Sequence, residues 1–252
     1  MGQTRAGRTR GVLDAARRGY CGELPERYLD YPVSFRLPFE RALAPLLAAA
    51  RQVLDVGGGR TPTVVPADRP AGCWYVGLDE LRSELELAPA GSYDEIVAGD
   101  ITGTDRSLEE RFDLIVSFQA LEHVSDLERA LANMFLYLRP HGKLLVQLSG
   151  RFSVYALISR ITPPPLARQI QRRLYQRDPD TVFRARYDRC YFRSLERMMR
   201  SWCQAEITPL WLAMPYFRFS RLLASAYLFY EEWARESGWV NLAPYYLIEG
   251  RK

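Results

Sequence analysis

VLDVGGGRTP, residues 53–62, decides the fold: an apolar run that ends in Asp55 and Val56 opens into three consecutive glycines. Where a strand turns toward a helix in an α/β sheet, glycines let backbone amides approach a ligand that side chains would hold away. Gly57, Gly58 and Gly59 are therefore candidate ligand contacts, with Asp55 beside them. Glycine clusters also build plain turns, so the surroundings must carry the reading.

From Gln52 onward, short apolar runs alternate with helical stretches. QVLDVG, CWYVGLD, DEIVAGD, FDLIVSF and KLLVQLS each read as buried strands. Between the fourth and fifth, LEHVSDLERALANMFLYLRP repeats Leu127, Leu131, Met134, Phe135 and Leu138 at helical spacing. Alternating strands and helices imply a parallel sheet covered on both faces. After Ser149, FRSLERMMRSWC reads as helix, AEITPLWL as strand, residues 219–236 as an aromatic helix and YYLIEGRK as a closing strand. The expected fold is α/β: a Rossmann-like, seven-stranded, mostly parallel sheet with helices on both faces and an antiparallel last strand. A helical N-terminal preface and a helical lid insertion after the fifth strand complete it. One domain is expected over residues 1–252, with the preface at 1–50, the nucleotide-binding core at 51–150, an arginine-rich lid at 151–200 and the C-terminal strands and aromatic helix at 201–252.

The next strands end in acids. Asp79 closes YVGLDE about 20 residues after the glycines, where a carboxylate accepts hydrogen bonds from both ribose hydroxyls of a nucleotide. Asp100 follows the third strand in IVAGDI. Any one of these acids, taken singly, reads as a helix cap or turn residue. Together at successive strand ends they read as a ligand site. Pro62 stands where the dinucleotide fingerprint needs its third glycine, which disfavours NAD, and no G-K-[ST] follows to make a phosphate-binding P-loop.

VLDVGGGRTP, YVGLDE, AGDI, FDLIVSFQALEHV and LRPHGKLLVQ stand in the order and at the intervals of the class I S-adenosylmethionine (SAM)-dependent methyltransferases, which the chain resembles over roughly residues 50–150. The resemblance implies that Gly57 and Gly59 cradle the methionine part of SAM and that Asp79 holds the ribose. Asp100 and Ile101 would border the adenine, and the turn from Ser117 to Gln119 would lie near the reacting end. The family often carries a further glycine where Thr61 stands, and a residue before proline favours an extended backbone, so this loop is expected to differ in shape.

Methyl transfer from a sulfonium needs alignment above all, and orientation alone supplies roughly 7–11 kcal/mol of such a barrier. A hydroxyl acceptor also gains from a general base. His123, after the fourth strand, is the candidate catalytic residue, although a histidine there also caps or packs. QALEHV resembles the E-x-x-E-H segment of the ubiquinone-pathway O-methyltransferases, which is associated with a divalent metal. Gln119 replaces its first glutamate, and losing an anionic ligand weakens a hard-cation site, so no metal is expected. His141, in RPHGK, reads as a solvated turn residue.

The acceptor pocket is expected outside the shared core, with Tyr28, Tyr31, Arg36, Trp211, Tyr216, Phe217, Tyr227, Tyr230 and Trp233 as lid candidates. Aromatics at helical spacing equally make core. The expected reaction is methylation of a small or medium-sized acceptor, at the oxygen of a sugar, glycolipid or secondary metabolite, releasing S-adenosylhomocysteine (SAH). N-methylation and a non-catalytic SAM-binding or membrane-surface protein remain as alternatives.

Composition narrows the partners. The 252 residues carry a net charge of +4, short of a nucleic-acid-binding domain, so no nucleic acid is expected. No run reaches the roughly 20 apolar residues of a membrane span. Twelve arginines between Arg151 and Arg200 read first as a solvated lid, then as a grip on an anionic acceptor or a membrane surface. Cys21, Cys73, Cys190 and Cys203 are scattered and form no C-x-x-C pair. That pattern, and a basic N-terminus with no apolar segment behind it, favour a cytoplasmic chain.

Overall fold

The structure, a computed structural model, describes Tyr28 and residues 35–161, 185–217 and 219–252. Seven strands lie in one sheet: β1 Gln52–Val56, β2 Trp74–Asp79, β3 Glu95–Ala98, β4 Phe112–Phe118, β5 Leu138–Ser149, β6 Gln204–Leu210 and β7 Tyr245–Arg251. Their order is β3-β2-β1-β4-β5-β7-β6. β1 to β5 pair in parallel, while β7 runs antiparallel to both β5 and β6, as expected of the last strand. This is the mostly parallel Rossmann-like sheet, and β6 and β7, far along the chain, complete it.

Among the described residues the helices are α1 Leu37–Ala49, α2 Arg82–Glu86, α3 Leu127–Tyr137, α4 Val154–Ile161, α5 Phe192–Met198 and α6 Arg221–Glu236. Strand side chains alternate between the two faces of the sheet. Leu54, Ile115, Leu144 and Val146 therefore pack with Leu127, Leu131 and Met134 of α3, whereas Val53, Leu114, Val116 and Leu145 pack with Phe39, Leu43 and Leu47 of α1. Both faces of the sheet are thus apolar, which is why its strands read as unbroken hydrophobic runs.

The structure differs from expectation at one boundary. α3 stops at Tyr137, and Leu138, expected on its apolar stripe, starts β5 instead. Arg139 precedes Pro140, and a residue before proline is pushed out of the helical region. Of the expected preface, α1 is described, with Pro38 in its first turn, where proline has no missing partner. Pro25, Pro32 and Tyr31 lie outside the described residues. α4 follows β5 where the lid was expected, and Arg168, Arg172, Arg173, Arg177 and Arg184 of that stretch also lie outside them. Among the described residues, no helix is long and apolar enough to cross a membrane.

Candidate active site at the carboxyl edge of the sheet

In a parallel sheet the loops leaving the carboxyl ends of the strands share one edge, and ligands bind there where the strand order reverses. Here that place is β1, flanked by β2 and β4. Gly57 leaves β1 with φ +76° and donates its amide to Leu78 O of β2 at 2.8 Å; Gly59 follows at φ +51°. Both values lie in the left-handed region that favours glycine.

The loop is wedged between its neighbours. A Cβ on Gly57 would overlap Cβ of Ala120, after β4, while one on Gly59 would stand 3.5 Å from Asp79 Oδ2 and 3.6 Å from Cβ of Glu84. Gly99 N, just past β3, bonds Asp79 O at 2.9 Å. The tips of β3, β2, β1 and β4 therefore meet side by side. Arg60 closes the rim by donating to both oxygens of Glu84 on α2, at 2.6 and 2.7 Å, which holds that carboxyl below its ordinary pKa.

Asp55 occupies a different place from the cleft-lining one expected of it. It is fully buried beneath the loop, where Oδ2 accepts from Thr63 N at 2.7 Å and Tyr75 Oη at 2.8 Å, and Oδ1 accepts from Thr63 Oγ1 at 2.6 Å. Burial pushes its pKa up, partly offset by these bonds and by Arg69. Arg69 caps Tyr75 at 3.6 Å from the ring, and Tyr93 stacks on Tyr75 and donates its hydroxyl to Gly59 O at 2.9 Å. This bracket, with Thr63 and Tyr75 buried and Arg69 and Tyr93 half-buried, shapes the glycine loop from below.

Gly58 touches that bracket. A Cβ there would overlap Asp55 Oδ2 and approach Tyr93 Oη to 2.6 Å. Both oxygens are held by other bonds, so neither yields cheaply. Gly58→Ala is expected to cost about 1–3 kcal/mol of stability, the usual penalty for overpacking. Urea unfolding checks it against Gly99→Ala, where a Cβ meets nothing within 4 Å and the change should stay within about 0.5 kcal/mol.

The other expected residues are distributed as follows. Asp79 is half-buried and its Oδ1 accepts from Leu81 N at 3.0 Å; desolvation, then Glu84 and Glu80, raise its pKa. Asp100 is exposed and its Oδ1 accepts from Thr102 N at 2.8 Å. Ile101 is buried in the core, its carbonyl accepting from Asn133 Nδ2 at 2.7 Å. Ser117, also fully buried, gives its hydroxyl to Val56 O at 2.9 Å and so ties β4 to β1 rather than reaching the cleft. Gln119 leaves β4 with φ +55°. His123 ends the turn Leu121–His123 and is half-buried. His141 sits at the opposite edge of the sheet, 3.3 Å from Arg251 Nη2.

Beyond β4 the cleft becomes aromatic. Phe35 stacks on Tyr245 at 4.8 Å and on Phe118 at 5.9 Å, its carbonyl accepting from Gln147 Nε2 at 2.7 Å. Arg36 lies 4.6 Å above Phe118 and donates to Thr63 O. Tyr28 is buried, its hydroxyl donating to Glu231 of α6 and accepting from Met214 N at 3.0 Å. Trp211 is core, whereas Phe217, Tyr227, Tyr230 and Trp233 form a ladder of rings 4.4, 5.8 and 6.4 Å apart running outward along α6. Arg189 latches the segment after the undescribed stretch to Asp126 and Glu128 at 2.9 and 2.6 Å, a structural use of one of the clustered arginines.

Comparison with known proteins gives three findings. A family model described as a methyltransferase domain matches residues 26–202. The ubiquinone biosynthesis O-methyltransferase, mitochondrial, of Bos taurus is 30% identical over 115 residues, 42% of this chain and 31% of that protein, so the match spans less than a third of the relative's length. Phosphoethanolamine N-methyltransferase 2 of Haemonchus contortus superposes with a TM-score of 0.52 at 11% identity in its complex with phosphomonomethylethanolamine and SAH. Its SAM complex gives 0.50 at 12% identity. Each superposition covers 86% of this chain and 52% of the other, and at such identities the likeness is one of fold.

Proposed function

The chain belongs to the methyltransferase-domain family, and from that premise we propose that it transfers the methyl group of SAM to an oxygen of a small molecule, a sugar, glycolipid or secondary metabolite, and releases SAH. All segments of residues 1–252 act as one unit in this reading. The observation that carries it is the meeting, at one edge of the sheet, of the positive-φ bend Gly57–Gly59, the Asp79 carboxylate beside Gly59 and the tip of β4, where Ala120 packs on Gly57.

SAM supplies a methyl group already activated on a sulfonium, so the chain's task is to bind, align and dry the reactants. Gly57 and Gly59 let the cofactor's amino-acid tail approach the backbone. Asp79 takes the ribose hydroxyls, Asp100 and Ile101 border the adenine, and Gln119 lies toward the reacting end. Asp55 and Ser117 serve from beneath, one through the bracket and one by locking β4 to β1. The aromatic part of the cleft, from Phe35 and Tyr245 toward Tyr227, holds the acceptor and excludes water. His123 is the group that takes the proton of the acceptor hydroxyl.

The direct test is native mass spectrometry of the purified protein for bound SAM or SAH, followed by calorimetry with SAH. Uptake of neither would remove the reading. A pH series sharpens it. Asp79 accepts from both ribose hydroxyls, with charge assistance, as a carboxylate, and the bound nucleoside would lower the pKa that burial raises in the free protein. Affinity is therefore complete above the free-state pKa and falls as pH drops through it, starting above the ordinary aspartate value of about 3.9. Asp79→Asn should flatten that dependence. A wild-type affinity constant across the range would argue against the ribose contact.

A further inference from the structure

α6 is apolar on two opposite sides. Its core side buries Ala224, Tyr227 and Leu228, with Glu231 and Ala234 beside them. At about 100° per residue, Leu222, Ala226, Phe229 and Trp233 fall within about 60° of one another on the side turned away from that core. Leu222 and Phe229 are 79% and 78% exposed, and Leu223, Trp233, Trp239 and, just before the N-cap, Phe219 are exposed as well. Trp239 extends the stripe, its ring 5.1 Å from that of Trp233. A helix apolar on opposite sides calls for a cover on each.

Spacing, area and charge narrow what that cover is. The stripe advances by four, three and four residues, the seam spacing of one helix packed along another, and Ala226 near its centre lets a second helix come close. With about 200 Å² per aromatic side chain and less per leucine, the exposed fractions leave roughly 600 Å² of apolar surface bare, the upper end of what a monomer carries. Two such faces together reach about 1,200 Å², where specific interfaces begin. The two ends of α6 differ in charge. Arg221, exposed at the first position, has no acidic partner among the described residues, whereas Glu232 and Glu236 share Arg235 at 3.0 and 3.5 Å, so the far end carries one more acid than base. Arg221, Glu232 and Glu236 all lie on one flank of the stripe. A two-fold axis that sets Leu222 against the partner's Trp233, and Ala226 against the partner's Phe229, runs the helices antiparallel and brings Arg221 beside the partner's Glu232 and the partner's Glu236. An interfacial membrane helix gains from lysines and arginines beside its apolar face. Here the two acids balance Arg221 and Arg235, so the charges favour a second copy over a lipid surface.

We propose that the side of α6 formed by Leu222, Ala226, Phe229 and Trp233 is the interface of a two-fold homodimer in which two copies of the helix pack antiparallel. The dimer uses no residue of the glycine loop and none of the acids at the strand tips, so it stands whether or not SAM binds.

Sedimentation velocity of the full-length protein between about 1 and 100 µM tests it. The wild type should pass from monomer to dimer with a dissociation constant on the order of 10 µM, as befits an interface at the lower end of the size range. Phe229→Lys and Leu222→Lys each place a charge in the seam and should leave monomer at every concentration, with the urea midpoint of the wild type, since both side chains face away from the core. Arg221→Glu should weaken the dimer roughly threefold to tenfold, and adding Glu236→Arg should restore it to within about twofold. A wild type that stays monomeric throughout overturns the proposal. Capture on phosphatidylcholine vesicles, lost in Phe229→Lys, would then give the face to a membrane, and a lowered urea midpoint in Phe229→Lys would give it to another segment of this chain. A dimer that survives both lysine variants overturns the proposal as well, and one indifferent to Arg221→Glu overturns the antiparallel pairing.

Discussion

Asp55→Ala is expected to lower the stability of the fold by about 3–5 kcal/mol, because it strips the acceptor from three buried donors at once. Thr63 N, Thr63 Oγ1 and Tyr75 Oη all point at this one carboxyl, which has no exposure to solvent. With the carboxylate gone, each donor loses its acceptor and bears its own desolvation cost. Tyr75 also donates its place in the sheet to Arg69 and Tyr93, which lean on its ring. Loss of Asp55 therefore loosens the floor under Gly58 and Gly59, and affinity for SAH should fall with stability. Urea unfolding reads the first effect as a lower midpoint at unchanged slope. A cost under about 1 kcal/mol would mean that the bracket does not depend on its carboxyl.

The same residue marks how far sequence reaches. The strands were legible because a parallel sheet buries both faces and leaves unbroken apolar runs such as FDLIVSF. The glycine bend and Asp79 were legible because their spacing reflects the width of one strand-helix-strand unit. Asp55 looked equivalent to Asp79, since both end strands; yet the register pairs Asp55 with Gly77, so the two acids share a face, and Asp55, two residues deeper in the register, is covered by Thr63 and Tyr75. Its partners Thr63, Arg69, Tyr75 and Tyr93 lie 8 to 38 residues on, and nothing local marks a tyrosine as a strut. Ser149 reads in the sequence only as the end of a strand, because the partner of its hydroxyl, Gln119, lies about thirty residues away. The ring ladder of α6 shows the same limit from the other side. Tyr227 is 7% exposed and Trp233 46%, because six residues on an α-helix turn the chain to a side about 120° away, off the face that Ala224, Tyr227, Leu228 and Glu231 bury. Rings three apart looked like one stripe in the sequence, and the helix carries them round from core to solvent.

Asp79→Ala is expected to weaken SAH by roughly 30- to 150-fold while leaving unfolding nearly unchanged. In the proposed reading the half-buried carboxylate accepts from both ribose hydroxyls, and charge-assisted bonds contribute about 1.5–3 kcal/mol each in full burial. Partial exposure at the cleft rim discounts the pair to about 2–3 kcal/mol in total, and each 1.4 kcal/mol is a factor of ten in affinity. Among the described residues, the Asp79 side chain accepts only a local bond from Leu81 N, so its removal frees one amide that water can reach and costs the fold little. That contrast with Asp55 gives the experiment its force. One acid should cost stability first and affinity in consequence, the other affinity alone. Calorimetry with SAH and urea unfolding on the two alanine variants separate these outcomes. An Asp79→Ala variant that binds SAH as the wild type does would show that the nucleoside, if bound, is not held at the tip of β2.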